Sequence, residues 1–305
     1  MIKKVIVLGG GTAGLIAALI LKTRFPVIEI EIIKSDKIGI IGVGEGSTEH
    51  IKDFMRVCKI TEKELIQHTD ATFKYGVMFK DWAPHDYLQF PDINHRHRIG
   101  LYEAYYAYHI GHNISCEKMM EKNLWNKRLT SDHYCNQYHF NTFKLNDFLL
   151  MKAHARGIKI TNDEIKSVSL KKGIDVLHGE KRKYKADFYI DATGFKKLLI
   201  SKLGAKWESF NLPMNEAIAF QTPDTENYNT WTLAKAMSAG WLWRIPTYGR
   251  WGNGYVYDNH YMDKDRAKKE VEKYLGYSIT IGKHIKFEAG ALDRPWIKNC
   301  VAMGL

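Results

Sequence analysis

The chain has 305 residues, of which 45% are hydrophobic and 26% charged; this is the composition of a globular protein with one or two domains and a core that needs no disulfide or metal staple. Disorder, fibrous structure and low-complexity architecture are disfavoured on the same ground. Forty-five Lys and Arg against 34 Asp and Glu leave a net charge of +11, which suits an anionic partner, but the basic residues are scattered in pairs such as Lys171 and Lys172, so nucleic acid is not an expected partner.

Val5 to Leu8 is an apolar run of strand type, Gly9 to Gly14 a turn, Thr12 to Lys22 a helix and Ile28 to Ile33 a second strand. Val5 to Leu21 is uncharged and follows Lys3 and Lys4, as a secretion signal would. Three consecutive glycines break such a helix, and no A-x-A-like site follows; no membrane association is expected. A β-turn-α-β start with a right-handed crossover predicts an α/β fold around a parallel, helix-covered sheet. Gly9, Gly11 and Gly14 spell G-x-G-x-x-G between strand and helix, the context a dinucleotide fingerprint requires. Gly9 serves the tight turn, Gly11 the approach of a pyrophosphate to the backbone, and Gly14 close helix packing. Thr12 and Ala13 open the helix whose N–H groups attract an anion. The acidic ribose contact expected at the end of the second strand is replaced by Lys34, with Asp36 beyond it. Either Asp36 substitutes, or the adenosine end is held differently, or Lys34 favours a 2′-phosphate and hence NADP.

Gly42, Val43, Gly44, Glu45, Gly46 and Ser47 form a second glycine-rich loop, which permits close approach of a planar ligand and equally suits a surface turn. Ile51 to Gln67 has a helical pattern, and Phe73, Tyr75, Val77 and Phe79 alternate with Lys74, Gly76, Met78 and Lys80 as one half-buried strand. On such a strand Lys74 is either a solvated charge or, if desolvated, an amine of lowered pKa. Asp86 to His112, rich in Tyr, His and Arg, reads as an excursion facing a substrate. Leu145 to Ala155 follows as a helix, Lys159 to Ile160 and Val168 to Leu170 as short strands, and Phe188 to Ile190 as a strand ending in Asp191, Ala192, Thr193 and Gly194. Trp241, Trp243 and Ile245 share one face of an extended segment, which on local chemistry alone is a core aromatic pair. Cys58, Cys116, Cys135 and Cys300 form no C-x-x-C pair and suit buried reduced thiols in a cytoplasmic protein. Neither metal-ligand spacing nor a G-x-S-x-G elbow occurs; no metal is expected and a hydrolase is disfavoured.

In this order the motifs resemble those of the flavin-dependent tryptophan halogenases over essentially the whole chain. The most specific is Trp241-Leu242-Trp243-Arg244-Ile245-Pro246, continuing from Gly249 to Tyr257. The resemblance implies a Rossmann-like, two-segment FAD-binding domain with an interleaved substrate-facing lobe in a single unit. Flavin segments would lie at about 1–60, 140–200 and 288–305, and substrate segments at about 61–139 and 201–287. It implies FAD, used as FADH2, held by Gly9, Gly11, Thr12, Ala13, Gly14, Lys34, Gly42, Val43, Gly44, Glu45, Gly46, Thr193 and Gly194. Halide would be oxidised to hypohalous acid, which Lys74 hydrogen-bonds or captures as a haloamine, while Trp241, Trp243, Ile245 and Pro246 keep the organic substrate from the flavin. A small electron-rich aromatic, indole- or phenol-like, would be halogenated by a cytoplasmic enzyme supplied with FADH2 by a separate reductase. A homodimer is left open, and the alternatives are a related flavin monooxygenase or a non-catalytic flavin-binding protein. Tyr87, Leu88, Gln89 and Phe90 stand where tryptophan-specific members carry histidine and phenylalanine, which argues against tryptophan itself. The sequence ends at Cys300 to Leu305, where family members continue into a flavin and halide loop with a catalytic glutamate and a helical part, so it is expected to be a piece of a longer protein.

Overall fold

A computed structural model describes residues 1–42, 45–48, 50–74, 76–89, 137–225 and 231–305. Val43, Gly44, Phe90, Cys116, Cys135 and all of the Asp86 to His112 stretch beyond Gln89 lie outside the described residues.

In chain order, β1 (Lys4–Leu8), α1 (Thr12–Arg24) and β2 (Glu29–Lys34) are followed by β3 (Glu45–Gly46), α2 (His50–Val57) and α3 (Glu62–Thr69). Next come β4 (Thr72–Lys74), β5 (Val77–Lys80), β6 (Tyr87–Gln89), β7 (Gln137–Phe140), α4 (Thr142–Ala155) and β8 (Lys159–Asn162). A meander of β9 (Ile165–Leu170), β10 (Ile174–Gly179) and β11 (Lys183–Tyr184) precedes β12 (Phe188–Asp191). The rest comprises β13 (Trp207–Ser209), β14 (Glu216–Pro223), β15 (Thr232–Met237), β16 (Gly240–Thr247), β17 (Arg250–Tyr257), α5 (Lys264–Leu275), β18 (Ile281–Lys286), β19 (Gly290–Leu292), β20 (Trp296–Ile297) and β21 (Cys300–Ala302).

The α/β class expected from the sequence holds. One sheet has the order β20-β21-β12-β1-β2-β8 and is parallel except for β20. Alternate residues of β1 serve two cores: Val5 and Val7 pack with Leu15 and Leu19 of α1 and Leu149 of α4, whereas Ile6 and Leu8 pack with Leu177, Tyr184 and Leu199 on the other face. Both faces are covered, which is why Val5 to Leu8 is apolar throughout instead of alternating.

A second sheet, β18-β14-β17-β16-β15-β5-β6, is antiparallel apart from the β5–β15 pair. Its two faces differ in kind. One packs Ile218, Phe220, Leu242, Tyr255 and Tyr257 against Ala267 and Val271 of α5. On the other, the register sets Ala234, Ala236 and Gly254 beside Trp241 and Trp243. A short sheet, β3-β7-β4, carries Gly46 and Lys74 on its two outer strands.

Two predicted elements are divided. The alternating run Phe73 to Lys80 is not one strand: β4 pairs with β7, while β5 pairs with β15 and β6. Alternation reports which side of the chain is buried and carries no information on which neighbour accepts the hydrogen bonds. The helical stretch Ile51 to Gln67 breaks where Lys59 adopts a φ of 51°, and a capping box between Thr61 and Glu64 starts α3 afresh. Cys58 and Cys300 are free and buried, and burial pushes the Cys300 thiol up to about 12. Among the described residues no helix is long and apolar enough to cross a membrane.

Candidate functional site

At the carboxyl end of β1 the chain turns at Gly9, whose φ is 122° and whose N–H donates to the Ile33 carbonyl at 2.9 Å. A Cβ on Gly9 would overlap the carbonyl oxygen of Ala192, and one on Gly14 would overlap the carbonyl oxygen of Gly9. The protein's own packing therefore demands both glycines. Gly11 is different: it caps α1 in extended backbone (φ −78°, ψ 176°) with no side-chain cap bond, and a Cβ there would meet nothing within 4 Å. No acidic residue occupies the first turn, so neither the positive end of the helix dipole nor the first-turn N–H groups are met by a side chain of the helix's own first turn. This arrangement fits the diphosphate of a flavin dinucleotide.

Around the turn, Lys34 at the end of β2 lies with its stem against Gly10, where a Cβ would come within 2.6 Å of the Lys34 Cβ. Its ammonium pairs with Asp36, whose carboxylate also accepts from the side-chain amide of Asn162. The two charges that competed for the ribose position are thus partners of each other. Asp191, 3% exposed, folds the loop after β12. One carboxylate oxygen accepts from Thr193 N and Oγ1 at 3.2 and 2.7 Å, and the other from Leu199 N and Ile200 N at 2.7 and 2.9 Å. Thr193 Oγ1 also accepts from Leu198 N at 2.9 Å, so Thr193 spends its hydroxyl inside the loop. Gly194, at a φ of 62°, has open space at its Cβ position. Asn146 of α4 donates to the Gly10 carbonyl at 2.7 Å. No motif marks that residue, because its partner is 136 positions away.

The second glycine loop is held at both ends. Lys283 of β18 donates to the carbonyls of Ile40 and Ile41, and Gly42, at a φ of 60°, lies under the Phe143 ring. Glu45 and Gly46 pair through their backbones with Phe140 and His139, while Ser47 exchanges hydrogen bonds of 2.8 and 2.9 Å with the backbone of Tyr138. Lys74 reaches this loop from β4: its Nζ donates to the Ser47 carbonyl at 2.9 Å, and a Cβ on Gly46 would lie 3.3 Å from that Nζ. Thr72, on the same strand, donates from Oγ1 to the Pro246 carbonyl at 2.7 Å. Lys80 stands in the other sheet, opposite Lys235 of β15.

Trp241 and Trp243 are half-buried, with ring centroids 5.9 Å apart and planes at 54°. Leu242 between them faces the α5 core, and Ile245 and Pro246 continue the strand as buried residues. Small neighbours make room for the indoles, and Gly254 is the tightest: a Cβ there would overlap the Trp243 ring. Gly254→Ala should therefore displace Trp243, lower stability by about 1–3 kcal/mol and alter the near-UV circular dichroism of the indole pair. An unchanged melting temperature and spectrum would show that the ring has room to spare.

The sequence-predicted residues form three groups. Gly9 to Gly14, Lys34, Thr193 and Gly194 gather at the carboxyl ends of β1, β2 and β12; Gly46 and Lys74 meet across β7; and Trp241 to Pro246 lie on β16, joined to the Lys74 strand through Thr72. The tryptophan halogenase family model matches residues 4–305. The 7-chloro-L-tryptophan 6-halogenase KtzR of Kutzneria sp. is 30% identical over 98% of this chain and 67% of its own length. The tryptophan 6-halogenase SttH of Streptomyces toxytricini is 28% identical over 99% of this chain and 66% of its own. The solved structure of Xcc4156, a flavin-dependent halogenase from Xanthomonas campestris, superposes with a TM-score of 0.85 at 29% identity, covering all of this chain and 66% of that one. The chain thus spans about two thirds of the length of these relatives. By fold, by motif order and by similarity along its length, the chain belongs to the tryptophan halogenase family, whose solved members include flavin-dependent halogenases.

Proposed function

We propose that the full-length protein is a halogenase that uses FADH2, O2 and halide to halogenate a small electron-rich aromatic, indole- or phenol-like. The observation that carries this reading is the position of the Lys74 strand: Lys74 is hydrogen-bonded to the glycine loop at Ser47, and Thr72 to the tryptophan strand at Pro246. That strand links a flavin-side loop to the indole pair.

In this reading the first turn of α1 binds the diphosphate, with Gly11 open for its approach and Gly9 and Gly14 shaping the turn. Lys34, the loop from Gly42 to Gly46, including Val43, Gly44 and Glu45, and the Thr193 and Gly194 backbone complete the flavin contacts. When bound, reduced flavin with O2 supplies the two-electron oxidation of halide to hypohalous acid. The Lys74 amine then holds the oxidant: as an ammonium it donates a hydrogen bond, and as a neutral amine it takes the halogen from the O–halogen bond, its own proton leaving with the hydroxide as water. Trp241 and Trp243, followed by the buried Ile245 and Pro246, wall the aromatic substrate off from the flavin, which disfavours direct oxygen transfer. Residues of about 1–60, 140–200 and 288–305 would form the flavin part and about 61–139 and 201–287 the substrate part, in accord with the division of strands between the two large sheets. A separate reductase would supply FADH2, and the enzyme would act in the cytoplasm.

KtzR and SttH are named for tryptophan. In this chain Tyr87 stacks on Phe79 at 4.8 Å, and Phe79 meets Trp82 edge-on at 6.2 Å. Tyr87, in the segment where tryptophan-specific members carry histidine and phenylalanine, is thus engaged with Phe79, which supports an indole- or phenol-like substrate other than tryptophan itself. The full-length protein, given reduced FAD, O2, chloride or bromide and a panel of indoles and phenols, should yield products with one hydrogen replaced by the added halogen. A halide-independent hydroxylated product would assign it to the monooxygenases, and flavin binding without any product would leave it a binding protein.

A further inference from the structure

Beside Lys74 lies a histidine that no motif singled out. His139 is 0% exposed in the middle of β7, opposite Gly46 of β3 on one side and Thr72 of β4 on the other. Its Nε2 lies 3.0 Å from Thr232 Oγ1 and its Nδ1 3.5 Å from Thr72 Oγ1. The Thr72 hydroxyl hydrogen is committed to the Pro246 carbonyl at 2.7 Å, so the Thr72 oxygen accepts from Nδ1–H, leaving Nε2 to accept from Thr232. One directional chain results, from Thr232 through His139 and Thr72 to Pro246. It crosses from β15 through β7 and β4 to β16, and each ring nitrogen has one role in it. Burial, and secondarily the charge of Lys74, depress the imidazole pKa well below its ordinary value, in keeping with a neutral ring. A Cβ placed on Gly46 would lie 3.3 Å from both His139 Cδ2 and Lys74 Nζ, so ring and amine lie against the same glycine.

We propose that His139 is a positioning residue, whose hydrogen-bonded chain from Thr232 to Pro246 holds the Lys74 strand against the tryptophan strand and keeps the Lys74 amine at Gly46 and Ser47. Its importance for catalysis rests on the reading of Lys74 above; its structural part does not, and the test separates them. In the flavin-bound, full-length protein, the acetylation rate of Lys74 by trace acetic anhydride is measured by peptide mass spectrometry, alongside flavin affinity and halogenation. His139→Phe removes both hydrogen bonds and should raise Lys74 labelling several-fold. It should lower halogenation kcat by about 10²-fold, the scale of a misplacement of about 1 Å, with flavin affinity within about threefold. His139→Gln, which retains a donor and an acceptor, should recover much of the labelling protection. Wild-type labelling in His139→Phe would overturn the proposal, as would an equal loss of flavin affinity and melting temperature that Gln does not rescue. Should the Phe variant fail to fold, Thr232→Val, which removes the far link of the chain, must raise Lys74 labelling or the proposal fails. Altered labelling in a protein that makes no halogenated product would leave the positioning role standing and remove the catalytic reading.

Discussion

Lys74→Met in the full-length protein is expected to lower halide-dependent product formation by about 10³-fold, the upper range for loss of one preorganised polar group at a reacting centre. Methionine matches the lysine stem as far as Cε but has no amine, so it tests the chemistry of Nζ more than the packing of β4. The amine donates to the Ser47 carbonyl at 2.9 Å; its removal leaves a backbone acceptor unpaired at the loop and costs about 1 kcal/mol of local stability. Flavin binding should survive, because the glycine turn at Gly9 to Gly14 lies at the end of the other sheet and the loop at Glu45 to Ser47 keeps its backbone pairing with β7. Reduced flavin should still be consumed with O2, and the lost product should reappear as released peroxide or free hypohalous acid, detected with a small-molecule trap. Product formation within about tenfold of wild type would remove Lys74 from the mechanism; loss of flavin binding would assign it to the fold.

The second large effect divides two glycines of a single motif. Gly9→Ala places a methyl group on backbone at a φ of 122°, against the Ala192 carbonyl. Left-handed strain of about 1–3 kcal/mol adds to overpacking against rigid backbone, for a loss of about 3 kcal/mol or more. That is a large part of the stability of an ordinary domain, and the flavin-free protein should melt well below wild type. Gly11→Ala meets open space on permitted backbone, and its cost to the fold is that of a poorer helix cap, about 1 kcal/mol. Its methyl group instead occupies the approach to the first turn of α1, so flavin affinity should fall by at least tenfold. Thermal melts without flavin and fluorescence titrations with it distinguish the pair. Equal melting losses in both variants would mean that Gly11 is a packing glycine like Gly9, and that the open first turn is not the diphosphate site.

The extent to which these features were legible in the sequence follows the range of the interactions behind them. The strand, glycine turn and helix from Lys4 to Arg24 were visible because the requirements at Gly9 and Gly14 arise within a few residues. The shared face of Trp241, Trp243 and Ile245 was visible because side chains alternate along any strand. Motif order then indicated the family, as these short signals recur in one sequence of spacings. The loop at Asp191 was half visible: its residues were named, but the role of the carboxylate in binding four backbone and side-chain donors needed the turn of the chain at Leu199 and Ile200.

The sequence by itself determined the α/β class, the glycine turn at the head of α1 and the indole-bearing strand, all products of local sterics and of hydrophobic periodicity. Only the tertiary structure decided that Phe73 to Lys80 splits between two sheets, that Lys74 meets Ser47, that Thr72 reaches Pro246 across 174 positions, and that a buried His139 joins their strands. The physical reason is that alternation specifies which face of a strand is buried, whereas a strand's hydrogen-bonding partner is chosen by the assembled sheets. The contacts that join the candidate lysine to the rest of its site depend on that choice.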